Sequence, residues 1–340
     1  MKVVHVNEGS PDRELSRIEV PELLCGERDV IIEVHAAGVN RADLMQRAGR
    51  YPAPAGASKV LGLEVAGLIK ELGSAVSRWS IGERVCALLA GGGYAESVIV
   101  PAEHIMRLPV VTPDLLRKST PEGFTELSFI EGAGLPEAFI TAFVNLFCEG
   151  ELRAGERVLI HGGSSGVGTA AIQLAKLRGA LVAVTVGNNE KAKRCLEIGA
   201  DLAIDYKRED FAEALKGWAP QGVDLILDCI GGEYLARNLS SLAHRGRLVM
   251  IASMGGTTGS LDIPTLMRKR ARIIGSVLRS RSDQEKADLI SQFSEQFLPA
   301  FSTGALKVIV DSTFDIREAH KAHLRMTSSE HIGKIVLKVR

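Results

Sequence analysis

Strand-like and helix-like patterns alternate through the middle of the chain. Arg157–His161 is a short apolar run of the kind that a parallel sheet buries on both faces. A glycine-rich turn follows, and behind it apolar residues recur at helical spacing from Val167 to Leu177. Further strands are predicted at Leu181–Val186, Ala203–Asp205, Val223–Cys229, Arg247–Ala252 and Arg272–Val277, and helices at Glu190–Ile198, Asp210–Lys216 and Tyr234–Ala243. This alternation over roughly 120 residues predicts a doubly wound parallel α/β sheet.

The residues before this segment show a different pattern. From Met1 to about Val100, short strand-like runs alternate with glycine and proline turns, which predicts a small, partly open β-barrel. The clearest strands are Val30–His35, Leu68–Leu72, Arg84–Leu89 and Glu96–Val100. One helix is predicted to begin at Arg41, and Ser128–Phe147 is predicted to be helical with a break at Pro136.

After Val277 the pattern predicts helices at Asp283–Phe297 and Arg317–Met326 and strands at Lys307–Val310 and Lys334–Val339. The simplest architecture returns this tail to the first domain. We therefore predict a discontinuous catalytic domain, residues 1–132 and 278–340, around a nucleotide-binding domain, residues 133–277.

Composition narrows the class of protein. The formal net charge of the 340 residues is zero, which argues against nucleic acid as the main partner. The densest basic segment, Arg268–Arg270 with Arg272, is interpreted as a solvated connection. No apolar run reaches membrane-spanning length, and no signal peptide is visible at the N-terminus. The five cysteines are scattered without a C-x-x-C pair, which is typical of reduced thiols in a cytoplasmic protein.

The glycine turn is the main candidate for chemistry. Its spacing, Gly163-x-x-Gly166-x-Gly168, differs from the G-x-G-x-x-G fingerprint and lacks the lysine of a P-loop. Glycines let the backbone approach a ligand closely, and the N–H groups and dipole of the following helix favour an anion. A glycine turn alone is as often a packing device. The alternation around it favours the pyrophosphate of a dinucleotide.

The end of the second strand of this segment indicates which dinucleotide is bound. NAD-binding proteins place an acidic residue there for the ribose hydroxyls, but Thr185–Asn189 contains no carboxylate. Lys191 could approach a 2′-phosphate, or it could be an ordinary solvated lysine, and Tyr206 could flank the adenosine. The missing acid predicts NADPH.

Six strings in the chain resemble a known family. They are Gly38–Tyr51 (GVNRADLMQRAGRY), Leu61–Gly67 (LGLEVAG), Leu88–Glu96 (LLAGGGYAE), Ile160–Lys176 (IHGGSSGVGTAAIQLAK), Leu225–Gly232 (LILDCIGG) and His331–Leu337 (HIGKIVL). They resemble the zinc-independent quinone oxidoreductases of the medium-chain dehydrogenase/reductase family. The similarity is greatest to the stress-induced quinone oxidoreductases, with zeta-crystallin a more distant relative. The resemblance implies a GroES-like catalytic domain, a Rossmann domain and NADPH between them.

The resemblance also implies that no metal is bound. The positions at which zinc-containing members have a cysteine and a histidine ligand fall on Asn40 and Leu63, and a four-cysteine loop is missing. An enzyme of this kind needs a substrate that accepts hydride readily, as quinones and activated enals do.

By position in the family, Tyr51, Asn40 and Asp43 are the candidate catalytic residues. Tyr51 would orient or protonate the reduced oxygen, although a packing role in its proline-rich loop is the alternative. Asp43 is equally interpreted as a cap of the helix that it opens. His161, next to the glycine turn, is interpreted as a hydrogen-bonded structural residue.

The candidate cofactor contacts follow the same correspondence. They are Thr141 near the nicotinamide, Gly163, Ser165, Gly166, Val167 and Gly168 at the pyrophosphate, Asn188, Lys191 and Tyr206 at the adenosine end, Cys229 and Ile230 under the ribose, and Leu278, Arg279 and Lys334 along the cleft.

These features predict an NADPH-dependent quinone oxidoreductase that reduces a small-molecule quinone, ortho-quinones included. An enal or enoyl-thioester double-bond reductase is the second hypothesis, for which Lys118 in an extended loop at residues 110–125 could contact a carrier. The third is a non-catalytic NADPH-binding or nucleic-acid-binding protein. By analogy with the family, a homodimer is expected through the strand at Arg272–Val277.

Overall fold

The computed structural model describes residues 1–111 and 125–340. Most of the predicted 110–125 loop, with Lys118, lies outside the described residues. The strands are β1 (Lys2–Val6), β2 (Leu15–Glu19), β3 (Asp29–Val39), β4 (Glu64–Leu72), β5 (Arg84–Leu88), β6 (Ser97–Pro101), β7 (Ile105–Arg107), β8 (Val110–Val111), β9 (Thr125–Glu126), β10 (Arg157–His161), β11 (Leu181–Val186), β12 (Leu202–Asp205), β13 (Val223–Asp228), β14 (Leu242–Met250), β15 (Arg272–Gly275), β16 (Val310–Asp315) and β17 (Lys334–Lys338).

The helices are α1 (Arg41–Arg47), α2 (Phe129–Gly132), α3 (Pro136–Phe143), α4 (Gly166–Leu177), α5 (Asn189–Ile198), α6 (Phe211–Trp218), α7 (Leu235–Ser241), α8 (Ile263–Lys269), α9 (Asp283–Ser302) and α10 (Ala319–Thr327).

The described residues form two compact units. Unit 1 comprises Met1–Ile140 and Arg279–Arg340, and unit 2 comprises Thr141–Leu278. Within the described part of the chain, no helix combines the length and the apolar character that a membrane span requires.

Unit 1 is built on an open sheet in the order β16-β17-β3-β4-β5-β7, with β6 also paired to β3. Apart from the parallel pair β16 and β17, the strands are antiparallel. β3 and β4 approach closely at Gly67, where a Cβ atom would lie 1.9 Å from the carbonyl oxygen of Glu33. The core contains side chains from β3, β4, β17 and α10, among them Ile32, Ile69 and Leu337. The sheet agrees with the predicted partly open barrel.

Unit 2 contains a six-stranded sheet in the order β12-β11-β10-β13-β14-β15, and every pair is parallel. This is the doubly wound order, which confirms the predicted α/β sheet. The strand order reverses between β10 and β13, and ligands of such sheets bind at the carboxyl ends of the strands at that point.

Three local predictions differ from the structure. The strand predicted at Lys307–Val310 is instead Val310–Asp315, whose polar sequence VDSTFD is held by pairing with β17. β14 begins at Leu242, so α7 ends at Ser241 and not at Ala243. The basic segment interpreted as a connection contains the last turn of α8, whose N-terminus is capped by Asp262. In each case strand pairing or a helix cap, and not the local residue composition, determines where the element begins or ends.

Replacing Arg247 tests how much its buried hydrogen bonds stabilise unit 2. It is 6% exposed, and it donates to the carbonyls of Gly150 (2.7 Å), Glu151 (3.0 Å) and Asp224 (3.0 Å) and to both carboxylate oxygens of Glu156 (2.7 and 3.0 Å). Glu156 is 24% exposed and can be solvated, but the carbonyls lose their donor, and leaving a buried acceptor unsatisfied costs about 1–3 kcal/mol. Arg247→Met is therefore expected to lower the free energy of unfolding by about this amount in urea titrations. Arg194→Met removes an exposed ion pair with Glu197, and a change of similar size there would contradict the interpretation.

Candidate functional site

The glycine turn joins β10 to α4 in unit 2. Gly162 has a φ of 72°, and the Ser165 side chain caps α4 by accepting from the Gly168 N–H at 2.9 Å. A Cβ atom on Gly168 would lie 2.3 Å from the Gly162 carbonyl oxygen, and one on Gly163 would lie 2.5 Å from Cβ of Val184. Only glycine fits these two positions. Gly166 and Val167 open α4, so the helix N-terminus lies at the carboxyl end of β10, where a pyrophosphate group fits.

The predicted adenosine-end residues lie at the carboxyl ends of β11 and β12. Asn188 caps α5, since its Oδ1 accepts from the Lys191 N–H at 2.9 Å. Lys191 is only 8% exposed, which contradicts the solvated-lysine alternative. Tyr206 is 46% exposed, and its hydroxyl would lie 3.1 Å from a Cβ atom on Gly187. No carboxylate lies within Thr185–Asn189 itself, although Asp205 pairs with Val186 on the neighbouring strand.

Cys229 and Ile230 follow β13 directly. The Cys229 thiol lies 3.4 Å from the His161 carbonyl oxygen and would lie 3.4 Å from a Cβ atom on Gly162, which places it beside the glycine turn. The Ile230 N–H donates to Asp228 at 2.7 Å. Thr141 and Leu278 are the first and last residues of unit 2, and the Thr141 carbonyl accepts from the Asn145 side chain at 2.7 Å.

His161 is buried in a polar chain under the turn. Its ring nitrogens lie 3.0 Å from the Thr185 hydroxyl and 2.7 Å from Asn238 Oδ1, and Asn238 in turn donates to Asp228 at 3.2 Å. Burial lowers the pKa of His161 to about 4, so the ring is neutral near pH 7. The structural interpretation of His161 is confirmed.

Asn40 and Asp43 lie at the N-terminus of α1 in unit 1. Asp43 is fully buried and accepts from the backbone N–H groups of Asn40 (2.8 Å) and Gly62 (2.9 Å) and from the Tyr94 hydroxyl (3.2 Å). Burial raises its pKa to about 6. Of the two interpretations of Asp43, the geometry is that of a helix cap that also anchors Gly62. A role in direct contact with substrate would need an exposure that Asp43 lacks.

Sequence reasoning missed Tyr94 and His323, which extend this cluster. The Tyr94 hydroxyl lies 3.3 Å from His323 Nε2, and both residues are buried. Burial lowers the pKa of His323 to about 3. His323 lies on α10, far from Tyr94 in sequence, so no local motif could have joined them.

Lys334 is predicted to contact the cofactor, but its ammonium is bound inside unit 1. Nζ lies 2.6 Å from Glu64 Oε1, 2.6 Å from Asn40 Oδ1 and 3.0 Å from the Val39 carbonyl oxygen. Lys334 is 4% exposed and Glu64 is fully buried. Because the three ammonium hydrogens have three oxygen acceptors, a direct contact with a cofactor does not agree with this geometry.

Tyr51 is half-buried in unit 1 with Arg279 over its ring, 5.2 Å from the ring centroid. Arg279 is held by the Ala90 carbonyl (2.8 Å) and by Gln46 Oε1 (2.6 Å), whereas its Nη1 has no partner among the described residues. Burial raises the pKa of Tyr51, so its hydroxyl is protonated at neutral pH. Within residues 1–111 and 125–340 no group forms a hydrogen bond with this hydroxyl, which leaves it available to a ligand.

A cavity of about 550 Å³ lies in unit 1, and Arg279 forms part of its wall. Its lining combines apolar side chains such as Leu89 and Val98 with the buried Lys286 and the glycine backbone at Gly91–Gly92. This volume is in the range of small-molecule sites.

Glu137, which sequence reasoning also missed, opens α3 near these groups. Its backbone N–H donates to Glu64 Oε2 at 2.8 Å. Burial and the nearby Glu64 carboxylate raise the pKa of Glu137 to about 8, and the ionised form of Glu137 raises the pKa of both Tyr51 and Arg279. A carboxylic acid that holds its proton near neutral pH therefore lies in the same unit as Tyr51.

Together, an open antiparallel unit with a polar cluster and a parallel-sheet unit with a phosphate-type glycine turn define a two-domain dehydrogenase or reductase. Known proteins share this organisation. Residues 26–110 match the alcohol dehydrogenase GroES-like domain, and residues 166–295 match the zinc-binding dehydrogenase domain.

Individual relatives match over the whole chain. The quinone oxidoreductase of Mus musculus is 31% identical over 345 residues, which cover 99% of this chain and 97% of the relative. The structure of Escherichia coli quinone oxidoreductase complexed with NADPH is 25% identical, with a TM-score of 0.85 and coverage of 100% of both chains. The CurK enoyl reductase structure is 29% identical, with a TM-score of 0.82 and coverage of 100% of this chain and 99% of that one. The chain therefore belongs to the medium-chain dehydrogenase/reductase family, among the quinone oxidoreductases, and it is an oxidoreductase.

One matched domain is named for zinc, but the residues at the expected ligand positions here do not fit a zinc ion. Asn40 and Leu63 replace the cysteine and histidine, and Leu63 has no donor atom. The neighbouring Glu64 carboxylate is already paired with the Lys334 ammonium. Among the described residues, no group of three or more His, Cys, Asp or Glu side chains is placed to hold a metal ion.

The raised pKa of Glu137 predicts a pH dependence. Native Glu137 keeps its proton up to about pH 8, whereas in the unfolded chain the carboxyl ionises above its usual value of 4.5. Ionisation between these values favours the unfolded state, so stability falls as pH rises through this window. Glu137→Gln removes this contribution, and its stability relative to wild type is expected to increase by at least about 1 kcal/mol from pH 5.5 to pH 8. Glu209→Gln, at an exposed position, is the control in the same urea titrations. If the free energies of unfolding of E137Q and wild type changed in parallel with pH, the raised pKa of Glu137 would be refuted.

Proposed function

We propose that the protein is an NADPH-dependent quinone oxidoreductase. The observation that supports it most directly is Tyr51, whose protonated hydroxyl has no hydrogen-bond partner among the described residues and whose ring is held under Arg279. The similarity to quinone oxidoreductases over the whole chain agrees with this proposal.

NADPH is the cofactor. The glycine turn and the N-terminus of α4 suit its pyrophosphate, and Lys191 and Tyr206 lie where its adenosine phosphate is expected. When bound, NADPH supplies the hydride of the reaction. Among the predicted contacts, Gly163, Ser165, Gly166, Val167 and Gly168 form the turn, whereas Asn188 acts by capping α5.

Tyr51 would act on the carbonyl oxygen of the substrate. A quinone that accepts hydride develops negative charge on this oxygen, and a hydrogen bond from the Tyr51 hydroxyl stabilises that charge. Completing the hydroquinone takes one proton as well as the hydride, and this proton comes from Tyr51 or through it from solvent. The Arg279 cation favours the tyrosinate that such a transfer leaves.

The residues at the zinc-ligand positions bear on the substrate class. Asn40 and Leu63 supply no Lewis acid to polarise an ordinary ketone, so the substrate must be electrophilic by itself. Quinones meet this requirement. Conjugated enoyl thioesters also do, and the 29% identity with the CurK enoyl reductase supports double-bond reduction as the second candidate.

The predicted homodimer belongs to this proposal. β15 is an edge strand of the unit 2 sheet, and Ile273 on it is 36% exposed. Pairing of two copies along β15 would extend the sheet across a two-fold axis. The cytoplasmic location stays a prediction from the sequence.

The function is tested by following nicotinamide absorbance with a small ortho-quinone as acceptor. Wild type is expected to oxidise NADPH well above NADH, and Tyr51→Phe to lower kcat by about 10²-fold with little change in the dissociation constant of NADPH. The same assay with crotonyl thioesters separates the second candidate. Tyr234→Phe, in the core of unit 2, is the control, and unchanged quinone turnover in Y51F would refute the role of Tyr51.

The cofactor site is tested at two glycines of unit 2. In Gly168→Ala the new Cβ atom meets the Gly162 carbonyl oxygen at 2.3 Å, so the turn must shift. NADPH binding measured by fluorescence is expected to weaken by about tenfold or more, which is about 1.4 kcal/mol. Gly217→Ala in α6, where a Cβ atom meets nothing within 4 Å, is the matched control. Equal affinities in the two variants would exclude this turn as the phosphate site.

A further inference from the structure

The ion pair between Lys334 and Glu64 is surrounded by directed contacts. Glu64 Oε1 accepts from Lys334 at 2.6 Å and from the Asn40 side-chain amide at 3.0 Å, and Oε2 accepts from the Glu137 N–H at 2.8 Å. Gly38 leaves the room that this carboxylate needs, because a Cβ atom there would lie 2.2 Å from Glu64 Oε1. All of these groups belong to unit 1.

The pair fixes both ends of one amide group. Asn40 Oδ1 accepts from the Lys334 ammonium, and Asn40 Nδ2 donates to Glu64. The ammonium faces the amide oxygen and the carboxylate faces the amide nitrogen, so the amide has one favourable orientation. A flip would place the NH2 group against the ammonium and the amide oxygen against the carboxylate. Asn40 itself is half-buried, so a ligand can reach it.

The same pair holds the start of α1, which leads toward Tyr51. Asn40 precedes α1, and Gln46 on α1 accepts from Arg279 at 2.6 Å. Arg279 in turn lies over the Tyr51 ring. A shift of Asn40 would therefore be passed to Tyr51 through α1 and two direct contacts.

Stability alone does not explain a buried ion pair. Replacing both partners by neutral residues of similar size is often without cost, because burial of the two charges offsets their attraction. The directed contacts of this pair with Asn40 give it a second role, which is orientation of the amide.

We propose that Lys334 is a positioning residue, and that its ammonium is a built-in cation held between Glu64 and Asn40. It orients Asn40 at the substrate end of the site and holds α1 in register with Tyr51. A divalent cation cannot share this place, because Nζ already lies 2.6 Å from both Glu64 and Asn40. This inference rests on the proposed quinone reduction, and it differs from the predicted cofactor contact of Lys334.

The test compares Lys334→Met with the double variant Lys334→Met/Glu64→Gln. The single variant leaves an unpaired buried carboxylate and is expected to be strongly destabilised. The double variant is neutral, and the amide oxygen of E64Q can still accept from the Glu137 N–H, so its melting temperature is expected to approach that of wild type. Lys338→Met, an exposed position on the same strand, is the control.

In the double variant, kcat/KM for the quinone is expected to fall at least tenfold while the dissociation constant of NADPH changes less than twofold. The nuclear magnetic resonance signals of the Asn40 side-chain amide, assigned by their loss in Asn40→Ala, are expected to move. If the double variant had both the stability and the kcat/KM of wild type, the role of Lys334 would be structural only. Loss of NADPH affinity would instead favour the cofactor contact, and either result overturns the proposal.

The positioning role of Lys334 and the proposed quinone reduction can fail independently of each other. If wild-type protein reduces no quinone, the proposed function fails, and the Asn40 amide signals decide the positioning of Asn40 alone. Unchanged signals in a folded double variant would refute it.

Discussion

The contact between the end of β3 and β17 is the constraint on which unit 1 depends. It joins two distant parts of the chain through backbone pairing and through the buried Lys334 ammonium, whose hydrogen bond to the Val39 carbonyl spans 295 residues. The same contact fixes Glu64 and Asn40, and so it determines where α1 begins. The polar cluster of unit 1 is thus a product of tertiary structure, and the glycine turn of unit 2 is a product of local sequence.

This difference explains how much the sequence could predict. The alternation from Arg157 to Gly275 is periodic and locally punctuated by glycine, so the doubly wound sheet and the glycine turn followed from it. Asp262 before α8 and Pro264 in its first turn are also a local start signal, although the sequence analysis predicted no helix there.

Residues brought together by the fold could not be predicted in the same way. The contact of Tyr94 with His323 and the raised pKa of Glu137 depend on burial, which has no signature in spacing. The family resemblance placed Lys334 among the site residues but assigned it to the cofactor, because a sequence cannot show which oxygens surround an ammonium. For Asp43, in contrast, the position at the start of a predicted helix was enough to predict its role as a helix cap.

The discontinuity of unit 1 has a consequence for synthesis of the chain. Unit 2 is a continuous segment and can bury its sheet as soon as Leu278 has left the ribosome. The end of β3 at Ala36–Val39 is made much earlier but lacks its pairing with β17 until that strand is made, and Lys334 brings the counter-charge for Glu64 at the same late moment. The N-terminal sheet therefore keeps an open edge and an unneutralised carboxylate through most of translation, and such an edge is prone to aggregation until it is paired.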